Sequence, residues 1–363
     1  MAIAGGNITL DSTEGMDKIS QTEKVTTPYF SNGSSVLAAA SIRTSSLTDT
    51  NEKYFFGISN SSTLTTEEFN VAFGSTNGYG VNLESNTKSE TEAIYKQYAN
   101  LLLAPTEVTG GFHISSQGSH AGKNSGRDDE IFVMSARRSN MKDRINKGTW
   151  TIFFSGSLSD RTGKQLKLTD DSVTTNATAT PVGDRYNIVS GAAGTVHNAA
   201  TSQSFGYFYP DMGIMVFSGF VLSASIPGAD IIGPTATVFA SGSQKGFGFL
   251  KNTTVDSKPA LLFINALTTA PAELSFRDEE DQVSAQYFCR VRSGQMNFSN
   301  NPTFVSGSLN ELRQKTMKGN PSSYITSVQL YNTRGEMVAV GNLSKPLKKN
   351  FQTEATIKVK LNY

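Results

Sequence analysis

The sequence predicts a mostly β protein of antiparallel sandwich-like or barrel-like domains, with one clear helix at about residues 90–104. Three observations carry this expectation. Apolar residues recur at every second position in several segments, Gly- and Asn-containing turns separate those segments, and only one long stretch has helical spacing. In that stretch Ile94, Tyr98, Leu101 and Leu102 fall at i, i+4, i+7 and i+8. Ser89 and Glu92 stand at capping-box spacing, and Pro105 stops the pattern.

The strands follow in chain order. Glu130–Met134 and Thr149–Phe154 come first, then Ser204–Tyr209, Gly213–Phe220 and Lys258–Asn265, each apolar and aromatic. Val283–Arg292 alternates, placing Ala285, Tyr287, Cys289 and Val291 opposite Gln286, Phe288, Arg290 and Arg292. Tyr324–Tyr331 and Glu336–Leu343 flank the turn Asn332–Gly335 and read as a hairpin. The last segment alternates most regularly, with Ala355, Ile357, Val359 and Leu361 dry and Thr356, Lys358, Lys360 and Asn362 wet. The hairpin and this final strand are expected to form one packed sheet. Turn signals at Asn32-Gly33, Asn77-Gly78, Asp211–Gly213 and Pro227-Gly228 fit this spacing. A short helical turn is expected over Ser308–Lys315, and no internal repeat is visible.

Three domains are expected, at 1–105 (β-rich, ending in the helix), 106–270 (β with long loops) and 271–363 (β, ending in the hairpin and last strand). Two stretches, Thr109–Arg127 and Asp170–Gly183, are rich in Gly, Ser, Thr and Asn and read as long loops, either arms that reach neighbouring subunits or simple surface disorder.

Composition narrows the function. The 32 Lys and Arg nearly balance 31 Asp and Glu, for a net charge of +1, and charged residues make up only 17%. Soluble proteins average about 25% charged, so polarity here has shifted to Ser, Thr, Asn and Gly. A balanced charge gives no reason to expect nucleic-acid binding. Cys289 is the only cysteine, which excludes an internal disulfide and fits a reducing cytoplasm. The amino terminus lacks the basic and long apolar regions of a signal peptide, and no apolar run approaches the ~20 residues of a spanning helix. No membrane insertion is expected.

No catalytic, cofactor or metal site is expected. Gly118–Ser125 falls short of a phosphate-binding loop, because its glycines enclose three residues where four are needed and Asn124 replaces Ser or Thr. His113, His120 and His197 lie in loops without metal-ligand spacing. No G-x-S-x-G elbow presents a serine. The carboxylate runs Asp128–Glu130, Asp170-Asp171 and Asp278–Asp281 show no EF-hand alternation, and the last reads as a solvated turn. The basic run Arg137, Arg138, Lys142, Arg144 and Lys147, ahead of Trp150, could grip an acidic partner or simply form a solvated turn. Arg137, Arg138, Lys142, Arg144, Trp150 and the terminal Tyr363 are therefore the candidate interaction residues. A strand ending at Tyr363 could pair with a neighbour's sheet edge.

With these residues in place, the last third has a likeness. Tyr287–Phe304 (YFCRVRSGQMNFSNNPTF) and Tyr324–Tyr363 resemble the carboxyl ends of virion structural proteins, baseplate or tail-associated, from contractile-tailed bacteriophages of the cyanophage type. Ser327–Pro346 (SVQLYNTRGEMVAVGNLSKP) resembles a hairpin of tail-fibre and baseplate-wedge proteins, and Gln329 stands where those proteins usually carry Gly. A weaker echo lies in Asp129–Gly156. The resemblance covers about a third of the chain and implies a non-enzymatic virion subunit, made in the host cytoplasm and contacting other virion proteins and copies of itself. A receptor-binding or tail-fibre protein and a neck or capsid-associated component are the alternatives it leaves open.

Overall fold

The computed structural model describes residues 17–46, 54–60, 67–76, 78, 90–107, 110–114, 127–155, 165–197, 203–222, 259–297, 302–306, 308 and 311–362. The chain divides into two compact units, one of residues 25–280 and one of residues 1–24 with 281–363.

The strands in chain order are β1 (Lys18–Pro28), β2 (Val36–Ala38), β3 (Arg43–Ser46), β4 (Phe55–Ser59) and β5 (Glu67–Ser75). They continue as β6 (Glu130–Ala136), β7 (Arg144–Ile145), β8 (Thr151–Phe154), β9 (Leu166–Asp170) and β10 (Thr178–Thr180). Next are β11 (Gly183–Ala192), β12 (Thr195–Val196), β13 (Gly206–Tyr209), β14 (Ile214–Ser218) and β15 (Glu273–Ser275). The last are β16 (Arg277–Val291), β17 (Val305–Ser306), β18 (Glu311–Leu312), β19 (Ser323–Tyr331), β20 (Met337–Lys349) and β21 (Ala355–Asn362). The helices are α1 (Glu90–Leu102), α2 (Gly219–Leu222) and α3 (Pro259–Thr268). The mostly β, antiparallel character expected from the sequence is what the structure has.

The larger unit is one curled, half-barrel sheet in the order β2-β15-β8-β9-β11-β13-β14-β6-β5-β4-β3, with β10 and β12 attached to β11. Because β5 pairs with β6, the expected boundary at 105/106 falls within a single sheet. Strands at its centre are apolar on both sides. Across the β6–β14 ladder Phe132 faces Phe217 and Met134 faces Met215, while Val133 faces Val216 on the opposite surface. Such strands read as continuous apolar runs because both faces are covered.

One face belongs to a core that runs from Leu37 of β2 through Ile152, Leu168, Ile188 and Phe208 to Ile58 of β4. All the long strands contribute, so this is the inside of the curl. α3 fills it. The sequence read Lys258–Asn265 as a strand, and the structure corrects this to helix. A short apolar run cannot be assigned by periodicity, and Pro259 at the first helical position was the better signal. The helix is apolar nearly all round because it is enclosed: Ala260, Phe263, Ile264, Ala266 and Leu267 are buried. The Phe263 ring stacks on Phe132 at 5.0 Å and meets Phe154 edge-on at 5.2 Å and Phe217 at 5.6 Å.

α1 covers the other face, and its phase differs from the expected one. Thr91, Tyr95, Ala99 and Leu102 are buried, whereas Leu101 is exposed. Tyr95 sets the rotation: its hydroxyl donates to the Asp128 carbonyl (2.8 Å) and accepts from the Phe112 amide (3.1 Å). The helix lies so close to β5 that a Cβ on Gly74 would sit 3.0 Å from the Tyr95 nitrogen. The stretch Asp170–Gly183 is no free arm, since Asp171 caps a turn through Thr174 and Thr175 and Thr178–Thr180 pairs with β11. Most of the other expected arm, residues 115–126, lies outside the described residues.

In the smaller unit β16 pairs with β21 from Ser284↔Asn362 to Val291↔Ala355, and β1 lies on the other side of β16. The alternation expected for the last strand is present, with Ile357, Val359 and Leu361 half-buried and Lys358 and Lys360 exposed. β19 and β20 form a separate two-stranded sheet, not one packed sheet with β21. Residues 308–315 contain the short strand β18, and the nearby helical turn falls at Lys315–Met317.

Truncating the plug of the half-barrel, Phe263→Ala, should destabilise the larger unit by about 3–5 kcal/mol. Denaturant unfolding followed by Trp150 fluorescence checks this, because the single tryptophan is buried in the same core and stacks on Phe276.

Candidate functional site

The basic run, read as either a grip for a partner or a solvated turn, is largely engaged within its own unit. After β6 the chain makes a turn at Arg138–Asn140 and enters β7, which pairs with the start of β16. Lys142 contacts Glu280 at 2.8 Å, and Arg144 contacts Glu279 at 3.0 Å and Asp211 at 3.7 Å. Arg138 donates to the Asp143 carbonyl. Arg137 and Arg138 are exposed. Trp150 cannot meet a partner, because it is wholly buried between Phe208 and Phe276. An indole is the largest apolar body the chain has, and the inside of the curl takes it. Tyr363 lies outside the described residues.

Two of the four carboxylates expected in a solvated turn, Asp278 and Glu279, are interior, and Glu280 and Asp281 are half-buried. Asp278 and Glu279 sit on β16 and are buried. Glu279 accepts from the Arg144 and Asn146 side chains. Asp278 has one oxygen, Oδ1, buried with no hydrogen-bond partner. Burial pushes its carboxyl up to about 7, against the opposing pull of the Lys142 amide and the Lys142 and Arg138 charges. The other acidic runs are buried too. Asp128 accepts from the Ile114 amide and the Ser218 hydroxyl, Asp129 binds Arg127 and Thr76, and Asp170 accepts from the Gly148 amide. Each carboxylate ties a loop to the sheet, and none faces another across a cleft.

A surface cleft of about 240 Å³ lies beside α1, lined by Glu107, His113, Arg185 and Tyr207 among others. Its charges are already matched. Arg185 lies 3.5 Å from Glu107 and 4.4 Å above the Tyr207 ring, and the Tyr207 hydroxyl donates to the His113 carbonyl. Beneath it, burial pushes the Tyr209 hydroxyl up to about 12. His197 is exposed, and His120 lies outside the described residues. Among the described residues no three His, Cys, Asp or Glu side chains group to hold a metal. The near-miss phosphate loop also lies outside the described residues.

The surface that stands out is in the smaller unit. Both hydrophobic cores lie within Tyr29–Phe276. In residues 281–363 the buried apolar side chains are Ala285, Val291 and Ala355 alone among the described residues, and a lysine, Lys349, is fully buried. Its ammonium donates to Ser293, Asn297 and Asn350 oxygens, and burial holds it below the usual lysine range. Meanwhile Tyr331, Met337, Val338 and Val340 of the hairpin are 54–59% exposed. Gln329 pairs with Val340 and Tyr331 with Met337, which puts them on one face. The sequence carried a signal for this: Met337-Val-Ala-Val340 does not alternate, so the strand is apolar on both faces.

No family model matches the chain, and neither a curated protein nor a solved structure is similar to it. No helix among the described residues is long and apolar enough to cross a membrane.

Asp278 makes stability depend on pH. Its carboxyl lies at about 7 in the folded chain against 3.8 ordinarily, so the fold favours the protonated form. The stability this gives is complete below 3.8 and is lost as pH rises towards 7. Asp278→Asn, which cannot ionise, should raise the unfolding midpoint at pH 8, with the gain shrinking as the pH falls to 4. An equal gain at both pH values would place the effect elsewhere.

Proposed function

We propose that this chain is a non-enzymatic structural subunit of a tailed-phage virion, a baseplate or tail-associated protein that joins other virion proteins and copies of itself. The observation that carries the reading is the unfinished smaller unit. It has a three-stranded sheet and a long hairpin but buries almost no apolar side chain of its own. An isolated two-stranded hairpin is marginal in water, and small sheets need an apolar face covered by something else. Among the described residues, nine of the thirteen exposed large hydrophobics lie in residues 17–24 and 281–363. Exposed apolar surface in this quantity marks contact with another molecule. The likeness of Tyr287–Phe304 and Tyr324–Tyr363 to virion proteins falls on the same unit, which supports reading the contact as one made in particle assembly. Buried, singly placed carboxylates and the matched charges of the cleft support a role without catalysis.

The test is hydrogen exchange. In the dilute purified chain the amides of β19, β20 and β21 should exchange much faster than those of β5, β6 and β14. In purified particles they should become protected. Full protection of the hairpin in the dilute chain, or absence of the chain from particles, would refute the proposal.

A further inference from the structure

From the β16–β21 sheet we infer that two copies of this chain pack face to face through Tyr287, Cys289, Ile357, Val359 and Leu361. This rests on the structural-subunit reading and specifies one of its contacts. Tyr287 pairs with Val359 and Cys289 with Ile357, so these side chains share one face, and all of them are only half-buried. Over the paired stretches Ser284–Val291 and Ala355–Asn362 this face holds no charged residue. Lys18 of β1 reaches over the Tyr287 ring at its rim.

Charge decides the occupant. Residues 281–363 carry 11 lysines and arginines against 4 acidic residues. On this sheet Arg290, Lys358 and Lys360 project from the other face, where Arg290 stands 3.7 Å from Asp17 and Lys360 stands 3.8 Å from Glu23. An acidic partner would be drawn to that cationic face and would leave the apolar one uncovered. Two copies pairing edge to edge along β21 would bring Lys358 and Lys360 against each other in the best-matched registers, and lysines on an edge strand discourage this. Packed face to face, the two copies turn those cations away from each other. The face must be covered by an uncharged apolar surface, and the chain itself presents one, as a two-fold interface requires. Facing sheets lie about 10 Å apart with side chains interdigitated, so Cys289 becomes enclosed without forming a disulfide.

Sedimentation of the full chain should show a reversible dimer at high micromolar concentration that persists in high salt. Val359→Glu should weaken it at least about tenfold, whereas Lys358→Glu on the opposite face should leave it unchanged. Wild-type protein provides a check that needs no variant: alkylation of Cys289, the only cysteine, should slow several-fold between low and high micromolar protein. A monomer at every concentration, or a dimer in which Cys289 reacts at an unchanged rate, overturns the inference. A chain that is monomeric yet present in particles defeats this contact and leaves the structural-subunit reading standing. A dimer through this face with no chain in particles does the reverse.

Discussion

A sheet that curls without closing has an inside that must be filled, and much of the larger unit follows from that constraint. A closed barrel can fill itself with side chains from its own strands. A half-barrel leaves a gap on one side, and α3 occupies it. Phe263 reaches strands that lie far apart in the sheet order, touching Phe132 of β6, Phe154 of β8 and Phe217 of β14. The rings of Tyr29, Phe69, Trp150 and Phe276 fill the neighbouring space through contacts between 4.8 and 6.1 Å. Large aromatics suit this position because each removes much apolar surface from water for little side-chain entropy.

Once the inside is packed, the loops have to be held, and buried carboxylates do this. Glu68 accepts from the Ser31 amide, the Ser31 and Asn60 side chains and Asn140. Asp171 accepts from the Asn187 amide and side chain. An ionised carboxylate offers about four acceptor sites and can satisfy several loop donors at once. The unpartnered Oδ1 of Asp278 is the exception, and burial of this carboxyl raises its titration point. Several acidic residues that look like surface charge in the sequence are therefore structural.

How far the sequence could be read depended on whether one face or two were buried. β21 was legible because Ala355, Ile357, Val359 and Leu361 alternate with wet positions, and the β19–β20 hairpin because Asn332–Gly335 is a strong turn. Where both faces are covered, the period disappears. Pro259–Thr268 and the strand Ile214–Ser218 are equally apolar, yet one is helix and the other is sheet. The helix 90–102 was legible as an element but not in its rotation, since Tyr95 is placed by hydrogen bonds to Asp128 and Phe112 that lie far off in sequence. The same distance hid the candidate site. Lys142 and Arg144 look available until β16 brings Glu280 and Glu279 beside them. The half-covered apolar face of β16 was visible only as alternation, which says which residues turn together and not how well they are covered.

The two units are nested in sequence, with Val25–Glu280 inserted between the two segments of the smaller one and its ends falling within strands β1 and β16. Bringing the ends of so long a segment together from an open chain would cost on the order of 5 kcal/mol in loop-closure entropy. Folding of the larger unit, which has its own cores, already meets that cost and delivers the two strands as near neighbours. Formation of the smaller unit is thus coupled by topology to that of the insert.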